Sequence, residues 1–337
     1  MTALRTRGAW LAIAVAAALV VAIGLAAAGA FSGCATPAAK TGRPSAAVTA
    51  SAHGAVAYFT ARTLARSVHP RVADTWGEIR ARKMVFDIFQ QYGFFPWTQE
   101  FIASGSGGRV HSANIVAVKE GESADRLIVG AHYDSAPLGE GYSDNATGIG
   151  LLLETAARLK LQKTPYTLVF VAFGAEEKGT VGSRYFVRSM TDLERKATIG
   201  MIDLDAPAGG DFLSVASRLG RPTWLRDDAL TAAKSLGIPL QTGPAAKGRP
   251  AGTAVAPSDD VPFVIGGIAT AIFTATNWTA GRGDGKTATA AHGRLWHTPN
   301  DSVRFIERTY PGRVQRQLAD MSRLLETLLT SKLEKRP

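Results

Sequence analysis

Histidines and carboxylates in this chain fall just past the ends of apolar runs. Leu127-Ile128-Val129-Gly130-Ala131 delivers His132-Tyr133-Asp134-Ser135, and Tyr142-Ser143-Asp144-Asn145-Ala146-Thr147-Gly148 follows after a loop. Residues 167–173 end in Gly174-Ala175-Glu176-Glu177, residues 198–204 end in Asp205, and Leu295-Trp296-His297-Thr298 follows a Gly-rich stretch. Two imidazoles and several carboxylates gathered at one edge suit two divalent metals that share a bridging carboxylate, a pair that brings the pKa of a water towards neutrality. Singly, each residue has a plainer reading. Asp144 is a good helix cap, Glu176-Glu177 suit the first turn of a helix, and Asp203 and Asp205 suit a loop. It is their joint placement that points to metal chemistry.

The elements that must hold these residues are legible in the periodicity. Apolar residues recur at three and four from about 52 to 93, which predicts two helices joined around His69-Pro70. Short β-rich runs follow at 113–119, 127–132, 167–173, 198–204 and 268–275. Between the second and third lies an amphipathic helix from Gly148 to Leu161, and a last helix is expected from about Arg313 to Leu333. Strands alternating with helices, several apolar on both faces, predict an α/β fold: a mostly parallel sheet with helices on both faces. Open sheets of this kind place their sites at the carboxyl ends of the strands, where the acids and histidines fall. Residues 206–222, 242–257 and 279–293 read as loops that would wall a substrate pocket.

Composition removes other classes. The chain has 337 residues, 46% hydrophobic and 20% charged, which excludes disorder and leaves room for one large core. Cys34 is the single cysteine, so neither a disulfide scaffold nor a cysteine-built zinc site is available. The net charge is +10, yet the 38 Lys and Arg are spread among 28 acids without a dense basic run, so no nucleic-acid partner is expected. Arg5 and Arg7 precede an uncharged stretch, residues 9–31, that reads as an export signal or a membrane anchor. Cys34 follows Phe31-Ser32-Gly33, similar to a bacterial lipoprotein processing site although Phe31 replaces the usual Leu. The expected organisation is residues 1–34 as signal or lipoprotein anchor, 35–51 as a flexible tether, and 52–337 as a single catalytic domain outside the cytoplasm.

The ordered set HYDS, DNATG, GAEEKGTVGSRYF, IDLD and WHTPNDS resembles the co-catalytic zinc aminopeptidases, the group that includes secreted bacterial leucine-type enzymes. The resemblance covers roughly residues 70–330 and implies the zinc-exopeptidase (phosphorylase/hydrolase-like) type of α/β fold, peptide substrates and two zinc ions. It assigns one metal to His132, Asp144 and Asp205 and the other to Asp144, Glu177 and His297, with Asp144 bridging. Glu176 becomes the general base that takes a proton from water and passes it to the leaving amine. Asp134 is expected to fix the His132 imidazole, and Asp203 to stay off the metals.

Two positions depart from the family. Trp296 stands where some secreted members carry a Tyr that helps hold the oxyanion, and Ser258-Asp259-Asp260-Val261-Pro262-Phe263 carries Asp260 in place of a His. Trp296 is therefore an oxyanion candidate through its indole N–H, and Asp259 a candidate neighbour of the metals. Both departures are similar to glutaminyl cyclases, relatives of the same fold that commonly use one zinc. A third reading is a metal-free ectodomain on the same scaffold.

Overall fold

The alternating apolar runs pair into one eight-stranded sheet. The computed structural model describes residues 44–246, 249–254 and 256–333; the expected anchor, Cys34 and the first part of the expected tether lie outside them. In chain order the helices are α1 (Pro44–Ala50), α2 (Ala55–Ser67), α3 (Trp76–Gln91), α4 (Thr147–Leu159), α5 (Val181–Ser189), α6 (Asp192–Ala197), α7 (Trp224–Ser235), α8 (Asp260–Ile265), α9 (Val303–Thr309) and α10 (Arg313–Thr330). The strands are β1 (Trp97–Gly105), β2 (Gly108–Lys119), β3 (Ser123–His132), β4 (Tyr166–Phe173), β5 (Thr198–Leu204), β6 (Phe212–Ala216), β7 (Leu240–Gln241) and β8 (Ala269–Thr276).

The strand order is β1-β2-β4-β3-β5-β8-β6-β7. Its centre, β4-β3-β5-β8, is parallel. Towards the flanks β1 with β2, β2 with β4 and β6 with β8 pair antiparallel, while β6 and β7 pair parallel, so the sheet is mixed. The carboxyl ends of β3, β4 and β5 consequently meet at one edge. β6 lies inside the stretch 206–222 that the sequence presents as a loop. It is five residues long and follows Gly209-Gly210, too short to establish a period.

Alternation along the central strands divides the core between two faces. Leu127, Val129, Leu168, Phe170 and Ala172 face a large cluster that includes α2, α3, α4, α7 and α10. Ile128, Val169, Val171 and Phe173 face a smaller cluster with Phe186 of α5 and Phe263 of α8, whose rings lie 6.0 and 6.1 Å from that of Phe173. Each large apolar side chain buried this way contributes roughly 1.5–3 kcal/mol.

Helix α4 runs through the larger cluster with every one of its residues buried. Its two charges are paired: Arg158 donates to Glu154 at 2.7 Å, and Glu154 also accepts from the backbone of Gly54 and Ala57 and from the Ser322 hydroxyl. Such a pair is tolerated in a core because its hydrogen-bonding capacity is used. Arg158 also donates to the Ser51 carbonyl at 2.9 Å. That contact and the buried Val48 explain why α1 forms where composition alone reads as tether.

Candidate metal centre

The loop between β3 and α4 brings the first ligands together. Arg71 is buried beneath it and donates to the carbonyls of Tyr133, Glu140 and Gly141 at 2.8–2.9 Å. Burial lowers its guanidinium to about 10. Before α4 the chain makes a wide turn, Tyr142–Ala146, in which Asp144 and Asn145 leave helical geometry. Asn145 stitches that turn to the end of β5: its side chain donates to the Leu204 carbonyl at 2.7 Å and accepts from the Gly148 and Ala206 N–H groups at 3.1 Å. Gly148 is required there, since a Cβ would lie 2.2 Å from the Asn145 oxygen and 2.4 Å from the Leu204 carbonyl. The DNATG motif thus sets Asp144 beside Asp205.

Asp134 holds the other wall. The His132 Nδ1–H donates to the Asp134 carbonyl at 3.2 Å, leaving Nε2 to face the carboxylates. The Asp134 carboxylate, 3.6 Å from that Nδ1, takes the backbone N–H groups of Glu176 and Glu177 at 3.0 and 3.1 Å. It therefore straps down the turn after β4, where Ala175 has φ of 57°. Glu177 in turn accepts the Ala136 N–H at 3.0 Å.

The result is two overlapping trios. His132 Nε2 lies 3.1 Å from Asp144 Oδ1 and 3.7 Å from Asp205 Oδ1. His297 Nε2 lies 3.3 Å from Asp144 Oδ2 and 2.8 Å from Glu177 Oε2. Zinc–ligand bonds of 2.0–2.2 Å in a tetrahedron separate neighbouring ligand atoms by about 3.3 Å, and the four distances bracket that value. His132, Asp144 and Asp205, and Asp144, Glu177 and His297, form a dinuclear metal-binding site with Asp144 common to both. The surroundings are built to carry positive charge. Hydrogen bonds donated to Asp144 and Glu177 push His297 up to about 10, and Asp134, Asp144 and Asp205 raise His132 against the effect of its burial. Although burial opposes it, the two imidazoles hold Asp144 below the usual carboxylate range.

Glu176 belongs to neither trio and lines the same cavity of about 350 Å³, with Trp296 on a side wall. Burial raises its carboxyl, and the neighbouring Asp259 and Asp205 raise it further against the pull of His132. Asp259 is fully buried and pushed up to about 7, while the Ser183 hydroxyl and His132 pull it down. Asp203 stays outside the trios, and its carboxylate accepts the Asp260 N–H at 2.9 Å. Asp260 pairs with Arg218 through both oxygens, at 2.5 and 2.6 Å. That pair accounts for an acid where the family carries a His.

Asp301 has no visible role in the sequence, although it lies within the WHTPNDS motif. Asp301 is buried and accepts the backbone N–H groups of Ser143 at 2.6 Å and Asp144 at 3.1 Å, so the loop that carries His297 also fixes the bridging residue. Its proximity in sequence to His297 was the available signal.

The model of peptidase family M28 matches residues 114–322. The chain belongs to this family. It is 32% identical over 310 residues to the alkaline phosphatase isozyme conversion protein of Escherichia coli, covering 82% of this chain and 90% of that protein. It is also 32% identical over 209 residues to aminopeptidase YwaD of Bacillus subtilis, where it spans 58% of this chain and 41% of the relative. Among solved structures, a zinc aminopeptidase from Bacillus subtilis matches with a TM-score of 0.68 at 19% identity, covering 84% of this chain and 96% of that one. Glutaminyl cyclase from Porphyromonas gingivalis matches with a TM-score of 0.67 at 19% identity, covering 82% and 98%. Both likenesses establish the M28 zinc-exopeptidase fold.

Proposed function

We propose that this M28 peptidase is a two-metal aminopeptidase that removes N-terminal residues from peptides. The observation that carries the reading is the division of the Asp144 carboxylate, one oxygen towards His132 and the other towards His297. Asp144, His132 and Asp205 would hold one ion, and Asp144, Glu177 and His297 the other. When bound, two divalent cations polarise a carbonyl and acidify a water near neutral pH.

Glu176 is the proton carrier in this reading. Its backbone is fixed by Asp134, its carboxylate adjoins the ligands without being one, and it accepts a proton from water at a carboxylate oxygen before passing it to the leaving amine. Trp296 lines the cavity and packs on the core, which suits it to wall the site and to present its indole N–H to a developing oxyanion. Asp259 is buried near these acids, and when ionised its charge raises the Glu176 carboxyl further.

The catalytic domain is taken as residues 52–337, with export and membrane attachment assigned to residues 1–34. No described helix is long and apolar enough to cross a membrane. Trp296 and the Asp259-Asp260 pair, together with the likeness to a cyclase fold, favour glutaminyl cyclisation as the second reading. Metal content of zinc-saturated protein, measured with assays of an aminoacyl anilide and an N-terminal glutaminyl peptide, separates the two. About two metals per chain with anilide cleavage is expected; one metal with cyclisation would replace the aminopeptidase reading.

A further inference from the structure

The cavity at the metal centre is lined by charges of both signs. Asp144, Glu176, Glu177 and Asp205 supply its acids, and Lys286 and Arg294 line the same cavity. Both cations are exposed, and neither makes an ion pair or a side-chain hydrogen bond among the described residues. The acid nearest in sequence, Asp284, is turned to the main chain, its Oδ1 accepting the Lys286 N–H at 3.0 Å. Two divalent ions would be balanced by Asp144, Glu177, Asp205 and Glu176, which leaves the two rim cations uncompensated.

Their backbones are fixed. The Thr276 hydroxyl lies 2.9 and 2.8 Å from the carbonyls of Gly285 and Thr287, which share its one proton, and the Asn277 N–H reaches the Thr287 carbonyl at 2.7 Å, so both neighbours of Lys286 are tied to the end of β8. Gly285 has φ of 73° and lies against Trp278, where a Cβ would come within 2.5 Å of the indole. Arg294 sits between the mutually bonded Thr289–Gly293 pair, 2.9 Å in both directions, and the buried Leu295. Two cations on anchored backbones, facing a cavity and lacking partners, are a recognition surface for an anion.

We propose that Lys286 and Arg294 form a carboxylate subsite, so that this peptidase prefers substrates with a negative charge near the scissile bond. The inference rests on the aminopeptidase reading. A carboxylate reaches the rim from one of two sources: an acidic side chain on the N-terminal residue, or the terminal carboxylate of a short peptide.

The test compares kcat/KM of zinc-loaded protein within matched pairs. Glu- against Gln-p-nitroanilide, with Leu- and Arg-p-nitroanilide as references, reads the side-chain source; Leu-Leu against Leu-Leu-amide reads the terminal source. One pair is expected to favour its anionic member, and that ratio should fall about tenfold in Lys286→Ala/Arg294→Ala, the scale of a charge-assisted contact at a solvated rim. Lys286→Arg should keep most of it, and added salt should shrink it in the wild type. Ratios unchanged by the double substitution in both pairs, or a wild type that favours the anionic member of neither pair, would overturn the subsite. If Leu-p-nitroanilide itself is not cleaved, the aminopeptidase reading fails separately. Calorimetric titration of zinc-loaded wild type and double variant with Leu-Leu and Leu-Leu-amide, and with glutamate and glutamine, then still decides whether the rim binds a carboxylate.

Discussion

Replacing Asp301 by Asn asks whether the bridging metal ligand is held in place from the loop that carries His297. The carboxylate accepts two backbone N–H groups, from Ser143 at 2.6 Å and from Asp144 at 3.1 Å, in a fully buried setting. An amide keeps one accepting oxygen and turns its NH₂ group towards the other N–H, so one charge-assisted hydrogen bond is lost at about 2 kcal/mol. If that loss falls on the position of Asp144, zinc affinity weakens about 30-fold, inside the usual 10–100-fold cost of removing a group that orients a ligand. Competition with a zinc chelator measures the affinity, and thermal unfolding of the metal-free proteins measures the fold separately. Asp301→Asn that unfolds earlier but binds both ions as tightly as wild type would show that Asp301 supports the fold and does not position the metal.

Three further outcomes can be measured. Glu177→Gln should weaken one metal, with activity partly recovered by excess zinc, whereas Glu176→Gln should keep both metals and lose roughly 10²-fold or more in turnover; metal content and kcat of the two variants check this, and metal loss from Glu176→Gln alone would reverse the assignment. Burial, with the charge of Asp134, pushes Glu78 up to about 7 against the hydrogen bonds it accepts from Ser112 and Asp74. Its folded value lies above its unfolded one, so its contribution is fully present below the ordinary Glu range and lost as pH rises through about 7, by at most about 3 kcal/mol; Glu78→Gln should flatten the fall of Tm between pH 5 and 7, and an unchanged slope would refute this. Labelled fatty acid should be incorporated into the full chain but not into Cys34→Ala, and a soluble mature protein starting at Phe31 would refute lipid attachment.

His132, Glu177 and Asp205 were legible because they lie at or just past the ends of β-rich runs, and runs buried on both faces, such as 167–173, mark those ends clearly. The large cluster around α4 was legible through its helical period. Less visible were groups that work on the main chain. Asp301 serves N–H groups 157 and 158 positions away, and Asp134 clamps those of Glu176 and Glu177; backbone donors leave no signature in a sequence. Arg71 was hidden likewise, since its partners are three carbonyls. Lys286 and Arg294 lie in or beside Gly-rich loops without periodicity, and only the folded cavity brings them to the same site as the acids.

The Glu154–Arg158 grip on Ser51, Gly54 and Ala57 gives the molecule a defined load path. Force applied through the chain upstream of residue 44 first meets hydrogen bonds to the central helix, and Ser322 of α10 braces the same carboxylate from the far end of the sequence. A tug therefore enters in shear at the most enclosed helix of the domain and is shared with the carboxyl-terminal helix before it reaches any strand. Helix α4 begins three residues after Asp144, so the mechanical anchor point at Glu154 lies about two turns along the helix from the turn that carries the bridging ligand.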